Sequence, residues 1–152
     1  MQIAIDETPA VEDVRELLRE YPSSIPVPLE VDDFEGWLAT LPGPYSPPLG
    51  RSLVARCDGA LAGCVLLRSI DGDAGEVKRL YVREQFRGLG VARALVESAL
   101  AVSRAAGYSL LRLDTHESMI PAQNLYRSYG FRDIPPYWDH PVPGVVFFEL
   151  EL

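Results

Sequence analysis

The segment Arg87-Gly88-Leu89-Gly90-Val91-Ala92 constrains this chain more than any other stretch. A run that reads as a strand, residues 76–82, precedes it, and an amphipathic pattern over 90–106 follows it. Val91, Leu95, Val102 and Ala106 recur there at helical spacing, and Gly107 supplies the stop. A strand that enters a helix through two glycines leaves free N–H groups at the helix start, where the peptide dipoles add partial positive charge. Glycine removes the side chain that would hold an anion away from those amides. Lys78, Arg79, Arg83, Arg87 and Arg93 gather around the turn, opposed between 78 and 93 only by Glu84. In a chain of net charge −8, such a basic cluster points to a phosphate-bearing ligand.

The remaining elements read as a single mixed α/β domain over residues 1–152. Val11, Val14, Leu17 and Leu18 give a helix over 9–20, and Pro22, Pro26 and Pro28 are expected to end regular structure. Phe34, Trp37, Leu38 and Leu41 mark a short helix over 31–41. Strands over 52–57 and 61–70 flank an Asp58-Gly59 turn, which puts Cys57 and Cys64 on two arms of a hairpin. A strand from Leu110 to Asp114, a helix from Pro121 to Tyr129 and a terminal strand over 145–152 complete the order. The two cysteines read as buried thiols, and with His116 and His140 they form no zinc pattern, so no metal is expected. No apolar run reaches the about 18 residues of a membrane helix, and the N-terminus lacks the pattern of a signal peptide. A soluble, cytoplasmic protein with no membrane partner is expected.

Three phosphate-binding designs compete for the glycine turn. A P-loop needs Gly-Lys-Ser/Thr, which is missing. A dinucleotide fingerprint needs a third glycine where Arg93 stands. The third pattern, Gln/Arg-x-x-Gly-x-Gly/Ala, is matched in full by Arg87 through Ala92. Upstream lies Val77-Lys78-Arg79-Leu80-Tyr81-Val82, and downstream Asn124-Leu125-Tyr126-Arg127-Ser128-Tyr129-Gly130-Phe131. These blocks, in this order, resemble the GNAT acetyltransferase family, and the resemblance extends over essentially the whole chain. It implies the GNAT acyl-CoA N-acyltransferase fold, acetyl-CoA as co-substrate and transfer of an acetyl group to an amine.

The resemblance also implies roles for particular residues. Leu80, Tyr81 and Val82 would lend main-chain groups to the pantetheine arm, and a backbone N–H near Tyr81 would face the acetyl carbonyl. The amides of Gly88, Leu89, Gly90, Val91, Ala92 and Arg93, with Arg87 leading in, would hold the pyrophosphate. Tyr126 matches the tyrosine that protonates the departing thiolate. Glu76 matches the position of the glutamate used as base in histone-type members, and Asp114, His116 and Glu117 form a second candidate group. Met119 departs from the family, where asparagine commonly contacts the cofactor. No cysteine lies in a motif for an acyl-enzyme, so direct attack in a ternary complex is expected. Two other readings stay open: a non-catalytic CoA-binding or sensing module, and transfer of a longer acyl group.

The acceptor is less constrained. Residues 1–50 hold ten acids against two bases, the whole net charge of −8. That excess excludes nucleic acid as a partner and suits a small cationic amine, with a protein amine as runner-up. The terminal strand Val145 to Leu152 could pair two copies into a homodimer or lie inside one sheet.

Overall fold

A glycine-assisted turn sits at the centre of the fold. Asp58 and Gly59 both adopt positive φ, 48° and 86°, as a two-residue hairpin turn requires. They join β2 (Arg51–Cys57) to β3 (Ala60–Asp71), with Cys57 opposite Ala60. β3 then pairs with β4 (Ala74–Val82) in antiparallel register. In the computed structural model, which describes all 152 residues, these strands belong to one seven-stranded sheet. β1 (Ile3–Asp6) edges it beside β2, while β5 (Leu110–His116), β7 (Val145–Glu151) and β6 (Arg132–Ile134) follow β4 in that spatial order.

The helices cover both faces. α3 (Val91–Ala105) buries Val91, Leu95, Val96 and Ala99 against Leu53, Ala55, Val65 and Leu67 of the sheet. On the opposite face α1 (Val11–Ser24) and α2 (Phe34–Ala39) bury Val14, Leu17, Leu18 and Leu38 against Val54, Cys64, Leu66 and Tyr81. Period-2 alternation explains the split: Leu66 and Leu67 are neighbours in sequence and enter different cores. α4 (Ile120–Ser128) lies between β5 and β6 in sequence. No helix is long and apolar enough to cross a membrane.

Several expectations are corrected. α1 runs through Pro22 to Ser24 rather than ending before it. Ser23 and Ser24 donate their hydroxyls to the carbonyls of Glu20 and Tyr21, supplying partners in a turn that proline weakens. α2 is shorter than expected because Asp33 caps it, accepting from Gly36 N at 3.0 Å. β1 and β6 are additional strands, and a 3₁₀ turn at Glu84–Phe86 separates β4 from the glycines. β7 is flanked by β5 on one side and β6 on the other, which removes its central edge as a surface for pairing two copies.

Candidate functional site

Two departures from regular sheet geometry open the site. β4 and β5 are parallel, and they pair only over Ala74–Glu76 with Leu110–Arg112. Beyond Glu76 they part, so the β5-facing edge of β4 has no strand partner. The second departure is a bulge. From Leu66↔Lys78 to Cys64↔Tyr81, β3 advances two residues while β4 advances three. Arg79 holds the extra position with φ of 57°, a left-handed conformation that non-glycine residues rarely take. The bulge puts Tyr81 on the α1 side with Lys78, and Leu80 on the α3 side. Gly63 permits the close approach: a Cβ there would stand 2.4 Å from the Tyr81 carbonyl oxygen.

Beside that free edge lies a cavity of about 760 Å³. Leu80, Tyr81, Val82, Arg87, Gly88, Gly90, Val91, Ala92 and Arg93 line it, facing Met119, Pro121, Ala122 and Leu125 of the α4 start and Tyr21 and Ile25 of the α1 end. Of the expected cofactor residues only Leu89 is missing from the wall, and its side chain is exposed. Gly88 and Gly90 have φ of 76° and 92°, and a Cβ on Gly88 would meet nothing. Ala94 N donates to Gly90 O at 3.1 Å. Ahead of it, the amides of Gly88, Leu89 and Gly90 have no protein acceptor, and those of Val91, Ala92 and Arg93 belong to the first helical turn. No side chain caps this helix and no acid stands in its first turn. The turn is therefore a row of free donors, suited to an anion of pyrophosphate size. Arg87 is turned back, donating to Val82 O at 3.0 Å, and Arg93 is held by the Tyr129 hydroxyl and Ser128.

Tyr126 is buried on α4 and packs edge-to-face on Phe131, with ring centres 5.6 Å apart. Its hydroxyl has no protein partner among the hydrogen bonds, and burial, then Tyr21 and Asp114, push the phenol above its ordinary value. It stays protonated at neutral pH, the state a proton donor needs. Tyr129 differs, because its hydroxyl donates to Glu97. Met119 lines the cavity, and its sulfur receives the Thr115 hydroxyl at 3.7 Å.

Two smaller spaces lie nearby. One of about 60 Å³ shares Tyr21, Ile25 and Met119 with this cavity. Glu30 and Arg79 are shared in turn between that small space and a second chamber of about 610 Å³. Glu76 lies in the wall of that chamber and is only 1% exposed. Its Oε1 accepts from Arg68 Nε at 2.9 Å and its Oε2 from the Tyr137 hydroxyl at 2.6 Å. Glu76 thus lines the second chamber, whereas Tyr126 lines none of the three spaces. Burial and the Glu76 charge push the Tyr137 phenol far above its ordinary value. In the second candidate group, Asp114 accepts from Trp138 Nε1 at 2.9 Å and stands 3.7 Å from Lys78 Nζ. His116 is tied down, with Nε2 3.0 Å from the Pro143 carbonyl and Nδ1 2.7 Å from the Ser118 hydroxyl. It braces the β5–α4 loop, which buried Gln123 also pins by donating to the carbonyls of His116 and Glu117.

The acidic N-terminal segment is largely paired internally. Glu12 meets Arg15, Asp13 meets Arg56, Glu16 and Glu20 meet Arg83, Glu30 meets Arg79, and Glu35 meets Arg19. Arg83 holds the Glu20 carboxyl below the usual range against the opposing effect of burial. Tyr81 donates to the same carboxylate at 2.8 Å, and burial together with Glu20 pushes its phenol up to about 12. Neither Arg68 nor Gln123 stood out in the sequence, and Tyr137 did so only as part of the proline-rich loop 134–141, which the family resemblance puts near the acceptor. Arg68 and Arg112 lie in strands whose alternation was legible, but the loop that carries Tyr137 has no period.

Residues 11–131 match the model of the Acetyltransferase (GNAT) family. An uncharacterised N-acetyltransferase of Schizosaccharomyces pombe is 38% identical over 144 residues, covering 93% of this chain and 88% of that protein. An IAA acetyltransferase of Azospirillum brasilense is 38% identical over 104 residues, 67% of this chain and 68% of that one. A GNAT acetyltransferase structure from Staphylococcus aureus superposes with a TM-score of 0.80 at 19% identity, covering 99% of each chain.

Proposed function

The chain belongs to the GNAT acetyltransferase family, and from that premise we propose that it transfers an acetyl group from acetyl-CoA to a primary amine. One observation carries the reading: a cavity walled by the unpaired β4 edge and free helix-start amides lies near a separate chamber, with a small space between them that shares wall residues with both. Two neighbouring chambers suit two substrates bound together, and so direct attack in a ternary complex.

The residues fit the donor. Gly88 to Arg93 offer amides to the pyrophosphate, and Leu80 to Val82 offer main-chain groups along the pantetheine arm, with an N–H near Tyr81 for the carbonyl oxygen. Met119 provides apolar contact and, through its side chain, no hydrogen-bond donor. In the reaction the amine nitrogen bonds to the thioester carbon and the carbon–sulfur bond breaks. Tyr126 gives its proton to the departing thiolate and regains one from solvent. Glu76 is the proposed base. Its Oε2 already accepts a hydrogen bond from the Tyr137 hydroxyl, so the amine proton passes to the Tyr137 oxygen as the phenol proton moves to Glu76.

The internal pairing of the acidic segment weakens the electrostatic case for a cationic acceptor. Two free, buried thiols suit a reducing compartment, and a cytoplasmic location is part of the proposal. Release of CoA thiol from acetyl-CoA with a panel of amines tests the activity. CoA binding without turnover of any amine would favour the sensing-module reading, and a series of longer acyl-CoAs tests the donor chain length.

A further inference from the structure

Arg68, Glu76 and Arg112 in the wall of the second chamber belong to a row of charges that crosses five strands. Arg68 on β3 stands opposite Glu76 on β4, Glu76 opposite Arg112 on β5, Arg112 opposite Glu149 on β7, and Glu149 opposite Arg132 on β6. Residues in direct register share a face, so all five project toward the same side of the sheet. The carboxylates are fully engaged. Glu76 accepts from Arg68 and Tyr137, and Glu149 accepts from Arg112 Nε at 2.9 Å and Arg132 Nη2 at 3.2 Å.

The cations are not. Arg68 and Arg112 each spend only Nε on a carboxylate, and the Nη1 and Nη2 groups of both have no protein acceptor. Both residues line the chamber. They flank Glu76 at one strand spacing on either side, so their backbones lie about 10 Å apart. Arg112 also lies against the Tyr137 ring, 5.8 Å from its centre. A third cation, Arg79, is 8% exposed on the same wall, and its Nε is a buried donor without a partner. Opposing acids are near. Glu30 is occupied by Arg79, and Lys78 stands between Glu30, Glu76 and Asp114 at 3.7–3.9 Å. Asp71 lines the chamber, is exposed, and has no ion-pair partner.

We propose that this chamber receives an acceptor amine that carries a carboxylate, held by the free guanidinium nitrogens of Arg68 and Arg112. A guanidinium offers paired N–H groups in a plane, the geometry a carboxylate accepts in bidentate fashion. The buried acids of the chamber already have partners, so the unmet hydrogen-bonding capacity of its sheet floor is donor capacity. The inference rests on the acetyl-transfer reading for its consequence in turnover, but the binding site stands on its own geometry.

The test pairs α-amino acids with their primary carboxamides, which differ only in the charged group. Ligand-observed NMR with CoA present measures binding, and CoA thiol release measures turnover. For the wild-type chain the expected result is tighter binding of the carboxylate form, with kcat/KM about 10-fold or more above the carboxamide. In Arg112→Gln and Arg68→Gln that preference falls towards parity, and Arg112→Lys recovers part of it. Circular dichroism of each variant separates loss of the site from loss of the fold. Equal binding of the two forms, or preference for the carboxamide, overturns the proposal. Selective carboxylate binding without turnover would uphold the site and count against the transferase reading.

Discussion

The Tyr137 hydroxyl donates to Glu76 Oε2 at 2.6 Å, joining a loop residue to the floor of the sheet across 61 positions of chain. The contact fixes the proline-rich loop over the second chamber, beside Trp138 on Asp114 and Tyr137 on Phe147. In the proposed reaction, Tyr137 is the outer end of a short proton path whose inner end is Glu76. Tyr137→Phe is expected to lower kcat by roughly 10²-fold while leaving acetyl-CoA binding intact. Paired steady-state kinetics and calorimetry check this, and an unchanged kcat would remove Tyr137 from the path.

Tyr126→Phe removes one oxygen from a buried ring whose packing on Phe131 needs only the ring. The expected outcome is loss of kcat by about 10²–10⁴-fold with CoA affinity retained. Full activity in this variant would end the assignment of Tyr126 as proton donor.

Gly90→Ala places a Cβ on a residue at φ of 92°, where an L side chain is strained by about 1–3 kcal/mol. The turn either shifts or carries that strain, and in both cases the free amides lose their alignment. A weaker Kd for CoA is expected, with a smaller change for desphospho-pantetheine fragments that lack the pyrophosphate.

Leu95→Ala opens a hole where a fully buried side chain meets the sheet through the first core. A loss of about 2–5 kcal/mol in unfolding free energy is expected from denaturant titration.

Acid sensitivity follows from carboxylates held below their usual range. Arg83 does this for Glu20, and Arg112, followed by Arg132, for Glu149, each against burial. For Glu30 burial is the largest single effect, yet Arg79, the backbone and Lys78 together outweigh it. The native state therefore binds these protons more weakly than the unfolded chain, whose carboxyls titrate near about 4.3. The stability they contribute is present above that pH and is lost as pH falls through the lower native values. A urea midpoint that drops on acidification below about pH 4.5 is expected, with a smaller drop in Glu20→Gln.

The glycine turn and the cavity wall built around it were legible because they are local. Arg87 to Ala92 is contiguous, strand and helix flank it in sequence, and the cavity wall repeats that order. The bulge at Arg79 was not legible, since it depends on Gly63 and a register shift between strands. Pro22 misled for a related reason: proline breaks a helix interior, yet here hydroxyls from Ser23 and Ser24 fill carbonyls in the last turn. The chamber around Glu76 assembles Arg68, Arg112 and Tyr137 from three distant segments. Only pairing across the sheet brings them together. The acidic N-terminal run looked like a binding surface because its partners, Arg56, Arg79 and Arg83, lie far along the chain.

Acetyl transfer to an amine is tested most directly by incubating the protein with acetyl-CoA and a mixed amine panel, then measuring free CoA and product mass together. The expected result is CoA release that depends on the amine and equals, mole for mole, an N-acetylated product. CoA release in a burst without amine, or tight CoA binding with no acetylated amine from any acceptor, would contradict it.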